Sequence, residues 1–216
     1  MYVNPAFKTT DDAAWDYVTE RGFGSVVASD DGIPMASQVP LLVRRDGERR
    51  TIEFHVARPN PLHKVIARTP RVLIVVSGPD AYISPDWYTS ADQVPTWNYL
   101  AAHITGLARP IPAERTLAHV EAMSLFFEER LRPKKPWSTS KMTKAKREMM
   151  LRAIVPIEVE VERIEASTKL GQNKSFSDRM EAARMLAWRG AWNETALAEA
   201  MREAIKDEAR AAAPAR

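Results

Sequence analysis

The stretch GPDAYISPDWYTSADQVPTWNY, Gly78 to Tyr99, packs two Trp and three Tyr into 22 residues, with Pro79, Pro85 and Pro95 among them. Prolines at that spacing interrupt both a helix and a sheet ladder. The aromatics are therefore expected on a stiff, turning loop and not on a regular core stripe. Ser84, Trp87, Tyr88, Thr96, Trp97 and Asn98 set apolar walls beside hydrogen-bonding groups. That mixture suits a planar heterocycle with polar edges. Aromatics capping a barrel end, or buried at a subunit interface, use the same residue types. Both readings hold together if a ligand lies between subunits.

A second stretch, TIEFHVARPNPLHKVIARTPRVLIVV, reads strand, turn, short helix, strand. The turn carries Arg58 and Asn60, the helix opens at Pro61, and Lys64 lies on its first turn. A helix start with free N–H groups and nearby cations is a ready phosphate grip. Ordinary helix-end charges look the same from sequence. His55 alternates with Phe54 and Val56, either as a ligand contact or as a polar strand residue with a satisfied ring. A third stretch, TKLGQNKS from Thr168 to Ser175, gathers Lys169, Gln172, Asn173 and Lys174 after a strand, where a polar turn is the default.

Other chemistries find no support. There is no GxGxxG, no GxxxxGK[ST] and no GxSxG. The four histidines, His55, His63, His103 and His119, form no HExxH or HxH pair, and no cysteine is present to assist, so no metal site is expected. A bound organic cofactor carries chemistry here more readily than a side-chain triad.

The elements that must position these residues follow from periodicity. Strands are expected at Gly24–Ser29, at Met35–Arg45 running into a turn at Asp46-Gly47, and at Thr51–Ala57. Arg71–Gly78 is a nearly continuous apolar run, expected to be covered on both faces. Thr96–Ile111 reads as a long strand bent near Gly106. Ala153–Ala166 alternates Ile157, Val159 and Val161 against glutamates, with Pro156 near its start or at an edge. Helices are expected at 11–22, 61–68, 113–131 and in two C-terminal segments, the stripes Met185/Trp188 and Leu197/Met201 serving as packing faces. The tail AAAPAR is expected to fray. About six strands, mostly in hairpins and without βαβ alternation, point to a mainly β fold, a closed or nearly closed barrel with flanking helices.

The 216 residues suit one domain with a small appendage: residues 1–175 as the barrel with inserted helices at 113–152, and 176–216 as a helical extension. No apolar run approaches the roughly 18 residues that span a bilayer. The N-terminus lacks the pattern of a signal peptide. Zero cysteines fit a reducing cytoplasm. The net charge of +3 is mild, but Arg132–Arg147, RPKKPWSTSKMTKAKR, holds seven Lys/Arg and no Asp/Glu. It is either a solvated loop leading into an exposed helix face or a phosphate-binding surface. Trp137 within it either stacks on a base or anchors the loop.

Taken in order, MYVNPAF, FHVARPNP, GPDAYISPDWY, VPTWNY and KLGQNK resemble the PaiB-like family, described as FMN-binding negative transcriptional regulators. The resemblance implies the split β-barrel of flavin-binding proteins, akin to pyridoxamine-phosphate-oxidase-like proteins, with FMN at the interface of a homodimer. It implies that Arg58, Asn60 and Lys64 hold the FMN phosphate with His55 nearby. It places Trp87, Tyr88, Trp97 and Asn98 about the ring or against the facing subunit, beside the hydrogen-bonding Ser84 and Thr96, and Lys169, Gln172 and Asn173 in a flavin-contacting loop.

Three functions are open at this point. The first is a flavin-binding repressor touching DNA through residues 132–147, although no clear helix-turn-helix is present. The second is an FMN-dependent oxidoreductase acting on an unknown small substrate, with Tyr88, Tyr99 or His103 as proton donors. The third is a module that holds flavin or haem without turnover.

Overall fold

Local periodicity and turn chemistry build the sheet. In the computed structural model, which describes residues 1–212, β1 (Phe23–Asp30) turns through Asp31 and Gly32, both at positive φ, into β2 (Ile33–Pro40). Glycine and aspartate tolerate that left-handed backbone, so a two-residue hairpin forms. β3 (Leu42–Asp46) and β4 (Arg49–Ala57) form a second hairpin, registered Asp46 against Arg49. β5 (Arg71–Ile83), β6 (Thr96–Pro110) and β7 (Ile154–Lys169) complete a seven-stranded sheet in the order β2-β1-β5-β6-β7-β4-β3. The helices are α1 (Asp11–Arg21), α2 (Leu62–Arg68), α3 (Thr116–Glu128), α4 (Lys144–Arg152), α5 (Phe176–Arg189) and α6 (Trp192–Ala212). None of those described is long and apolar enough to cross a membrane. The fold is mainly β with flanking helices, as the sequence leads one to expect.

Chain contacts divide the protein into two compact units, and each of the three long strands gives a segment to both. The division follows the strands and does not fall at residue 175. The larger unit comprises residues 12–76 and 103–164. Its buried side chains include Val26, Ile52, Phe54, Ile74, Ile104 and Ile157, on one face of each strand, with Trp15 and Val18 from α1. β2 also contacts β4, so the sheet curls within this unit. Arg130 donates to the carbonyls of Thr19 and Glu20, satisfying the C-terminus of α1. The smaller unit comprises residues 1–11, 77–102 and those from Glu165 on. Its core joins Ile83, Leu170, Leu186, Leu197 and Met201, so α5 and α6 pack on the strand ends they follow.

Several expectations change in detail. The segment Met35–Arg45 is two strands: Pro40 cannot donate to a ladder, and Leu41 leaves it to donate to Gly22 O while burying its side chain. β5 buries Val72, Ile74 and Val76 on one face with Leu73 and Val75 half-buried on the other, and farther along it buries Ala81 and Ile83 of the opposite parity. The strand runs through Gly78 and Pro79 to Ile83, so only residues 84–95 are loop. The registered pairing of β5 with β1 ends at Val75, so Pro79 lies beyond it. Among the C-terminal stripes, Leu197 and Met201 are buried, but Trp188 is 75% exposed and Leu186 takes the core position. The expectation for the AAAPAR tail lies outside the described residues from 213 on.

Gly106 marks a close approach of β6 to β7. A Cβ there would meet Glu160 O at 2.3 Å and Val159 Cγ1 at 2.8 Å. Gly106→Val should destabilise the protein by about 3 kcal/mol, the upper end for overpacking, read as a lowered urea midpoint.

Candidate functional site

In the smaller unit, the start of β6 and the turn after β7 meet the N-terminal segment around a cavity of about 180 Å³. Tyr88, Thr96, Asn98, Lys169 and Asn173 line it, joined by Asn4, Phe7 and Lys174. Lys169 Nζ donates to Thr96 Oγ1 at 2.5 Å and lies 5.7 Å from the Phe7 ring centroid. Lys174 Nζ donates to Gln93 Oε1 and lies 5.2 Å from the Tyr88 ring centroid. Asn98 is 1% exposed; its Nδ2 meets only the Met201 sulfur, at 3.6 Å, and its Oδ1 has no partner among the described residues. A buried amide oxygen left unpaired costs about 1–3 kcal/mol, so this acceptor is suited to a donor from outside the chain. Gln172 serves the backbone instead. Its Oε1 accepts from Leu170 N and its Nε2 donates to Thr168 O, bracing the turn at Gly171.

The aromatic loop is held by one carboxylate that no sequence motif singles out. Asp178, on the first turn of α5, accepts from Thr89 N at 2.7 Å, Thr89 Oγ1 at 2.8 Å, Ser90 N at 3.0 Å and Ser90 Oγ at 2.7 Å. Burial works to raise its pKa, but the hydrogen bonds from Ser90, Thr89 and Ser175 outweigh it and hold it well below the carboxylate range. Tyr88 shifts the other way, raised first by burial and then by the Asp178 charge. Trp87 and Tyr88 pack against the core, and Ser84 caps the short turn at Pro85–Trp87. Trp97 points elsewhere. It is 53% exposed and stacks edge-on with Tyr82 at 6.2 Å.

In the larger unit, the 55–64 turn is largely occupied by its own fold. Arg58 donates to the Arg152 and Ile154 carbonyls at 2.6 and 2.9 Å. Asn60 caps α2, accepting from Leu62 N and donating to Ser37 Oγ, both at 2.9 Å. Lys64 is exposed. His55 belongs to a chain of side chains that sequence does not reveal. Its Nδ1 is 3.0 Å from His119 Nε2, and His119 Nδ1 is 2.8 Å from Glu53 Oε2. Glu53 and His119 are buried. The His119 hydrogen bond leads in lowering the Glu53 pKa; burial, then His119, push His55 down to about 4. Among the described residues no His, Asp and Glu side chains gather as a metal site.

The basic segment is partly neutralised. Arg132 pairs with Glu129 and Lys134 with Glu128, while Lys135, Lys141 and Lys146 are exposed. Trp137 anchors the loop, since its backbone N–H donates to Glu128 at 2.8 Å and its side chain lines a cavity.

Two measurements test these assignments. The depressed Asp178 carboxyl contributes stability above its unfolded pKa near 4 and loses it as the folded carboxylate protonates. The near-UV circular dichroism of the aromatic loop should therefore hold at about pH 4 and weaken only on acidification well below it, and Asp178→Ala should show the weakened signal already at neutral pH. Arg58→Ala removes two charge-assisted bonds and should lower stability by about 1–3 kcal/mol in urea titration.

Comparison with known proteins agrees with this architecture. Residues 1–163 match the family described as "Putative FMN-binding domain". Protease synthase and sporulation protein PAI 2 of Bacillus subtilis (strain 168) is 32% identical over 209 residues, covering 96% of this chain and all of that one. The uncharacterized protein YKL070W of Saccharomyces cerevisiae is 33% identical over 81 residues, 35% of this chain and 48% of its own. Among solved structures, the FAD and heme binding protein from Mycobacterium smegmatis shares the fold at a TM-score of 0.53 and 14% identity, over 85% of this chain and 80% of that one. The flavocytochrome Anf3 from Azotobacter vinelandii does so at 0.52 and 15% identity, over 79% and 73%. By its family match and its full-length relative, the chain is a PaiB-like member of the FMN-binding-domain family.

Proposed function

We propose that the cavity of the smaller unit receives the pyrimidine edge of FMN, and that the protein is a flavin-binding negative regulator of transcription. The buried Asn98 Oδ1, without a partner among the described residues in a cavity that Lys169 and Lys174 also line, carries the first part. That edge of the flavin ring presents acceptor, N–H donor, acceptor. Lys169, Asn98 Oδ1 and Lys174 offer the complementary donor, acceptor, donor, and Phe7 and Tyr88 supply apolar walls. A cavity of about 180 Å³ takes one end of FMN and not the whole molecule. His55, Arg58 and Asn60 are engaged within the other unit, so the proposed contacts come from the residues about this cavity alone.

Bound FMN supplies a ring that accepts or gives a hydride. The protein's part is to orient that ring and set its charge environment. Ammonium groups at the pyrimidine edge favour whichever ring state carries more negative charge there. Burial of Asn98 keeps water from competing for the ring N–H.

The regulatory part is supported by the PaiB-like resemblance and by Lys135, Lys141 and Lys146, which stand exposed in the basic segment. Three cations make a modest phosphate contact. The exposed Tyr82 and Trp97 pair suits association with a second copy.

The full chain, purified and dialysed after FMN addition, should retain a flavin absorption band. Asn98→Leu and Lys169→Met should each weaken FMN by roughly tenfold or more; unchanged affinity in both would remove the site. Replacing Lys135, Lys141 and Lys146 by Ala should reduce the salt slope of DNA binding by about three. Steady turnover with a nicotinamide donor and no preference among DNA sequences would overturn regulation in favour of an oxidoreductase.

A further inference from the structure

Apart from the flavin cavity, the larger unit holds a second and bigger one of about 360 Å³, within the range of small-molecule sites. It lies where β4, the start of β7, α3, α4 and the 137–142 segment converge. Trp137, Met142, Met150 and Leu151 give it apolar walls, and methionines adapt to irregular shapes. The Trp137 wall is built in place. Its backbone N–H is held by Glu128, and the neighbouring Thr139, itself buried, donates to Glu121 Oε1 at 2.6 Å.

Four polar residues line this apolar space, and besides Ser124 and the Glu121-bound Thr139 these are Arg147 and His55. Arg147 is half-buried along the cavity, and its guanidinium has no hydrogen-bond or ion-pair partner among the described residues. No acidic side chain lines the cavity to neutralise it. A partly desolvated, unpaired guanidinium favours an anion, and its planar fork matches a carboxylate. The second group is His55. The Glu53 carboxylate holds the Nδ1 proton of His119, whose Nε2 then accepts from His55 Nδ1–H. That order of donors leaves His55 Nε2 as a free acceptor on a ring that lines the cavity.

We propose that this cavity is a second binding site, for a small carboxylate with a flat apolar body and a hydroxyl or N–H donor. The carboxylate meets Arg147, the body lies among Trp137, Met142 and Met150, and the donor meets His55. The site is independent of the flavin cavity, whose residues it does not share.

The probe is 6-hydroxy-2-naphthoate, with 2-naphthol as the analogue lacking the carboxylate and 2-naphthoate as the one lacking the hydroxyl. Calorimetric titration of the full chain, with and without FMN, should show one site per chain and equal affinity in both cases. Loss of the carboxylate and Arg147→Gln should each cost about tenfold or more, and the two losses should not add. Loss of the hydroxyl and His55→Phe should couple in the same way. Met150→Trp, which fills the cavity, should abolish probe binding and leave FMN affinity unchanged. The proposal is overturned if the probe displaces FMN, if Arg147→Gln binds it as well as the parent does, or if Met150→Trp leaves binding intact. A chain that takes the probe but not FMN would sink the flavin reading and leave this one standing.

Discussion

The Asp178 carboxylate is the fixed point of the loop that walls the smaller unit's cavity. Residues 84–95 join two long strands without a ladder of their own, and Pro85 and Pro95 give no backbone donors. Such a loop loses conformational entropy on ordering with few backbone bonds in return. Asp178 answers this by collecting two backbone N–H groups and two hydroxyls on one side chain. It stays charged because those hydrogen bonds outweigh its burial, and its place in the first turn of α5, which Ser175 caps, adds a helix dipole that favours an anion. Tyr88 is then a wall of the cavity because the residue after it is tied down.

Two buried polar arrangements show opposite solutions to one problem. Glu53, His119 and His55 form a chain in which each buried acceptor has a donor, and His55 at its end lines the larger unit's cavity. Asn98 has been left with an oxygen that no described residue satisfies. A folded chain normally removes such a cost. Its survival in the cavity that Lys169 and Lys174 line is the observation on which the proposed flavin contact rests.

How far the sequence reveals this depends on the range of the interactions. Hairpin turns, helix caps and the alternation of β1, β4 and β7 are local, and are legible from Asp31-Gly32, Asp46-Gly47 and the valines and isoleucines. The aromatic, VPTWNY and KLGQNK stretches are legible as site material, because polar and aromatic residues crowd where no core stripe runs. What each residue does within them is not. Gln172 reads like Asn173, yet one braces the turn and the other faces the cavity. Glu53 and His119 escape a reading by motif because they lie 66 positions apart, and neither belongs to a spacing pattern. Trp188 falls on an apparent packing stripe and yet is exposed, because helical period alone does not say which of two adjacent faces is covered.

The two outermost strands of the sheet, β2 and β3, carry their own consequence. β2 holds Pro34 and ends at Pro40; β3 is five residues long and carries Arg44 and Arg45. Prolines withhold donors, and like charges repel an identical neighbour. The margins of the sheet are thereby poor templates for growth by an incoming strand, which guards against fibril-like stacking at high concentration. Association through side-chain surfaces, by contrast, would leave each sheet complete.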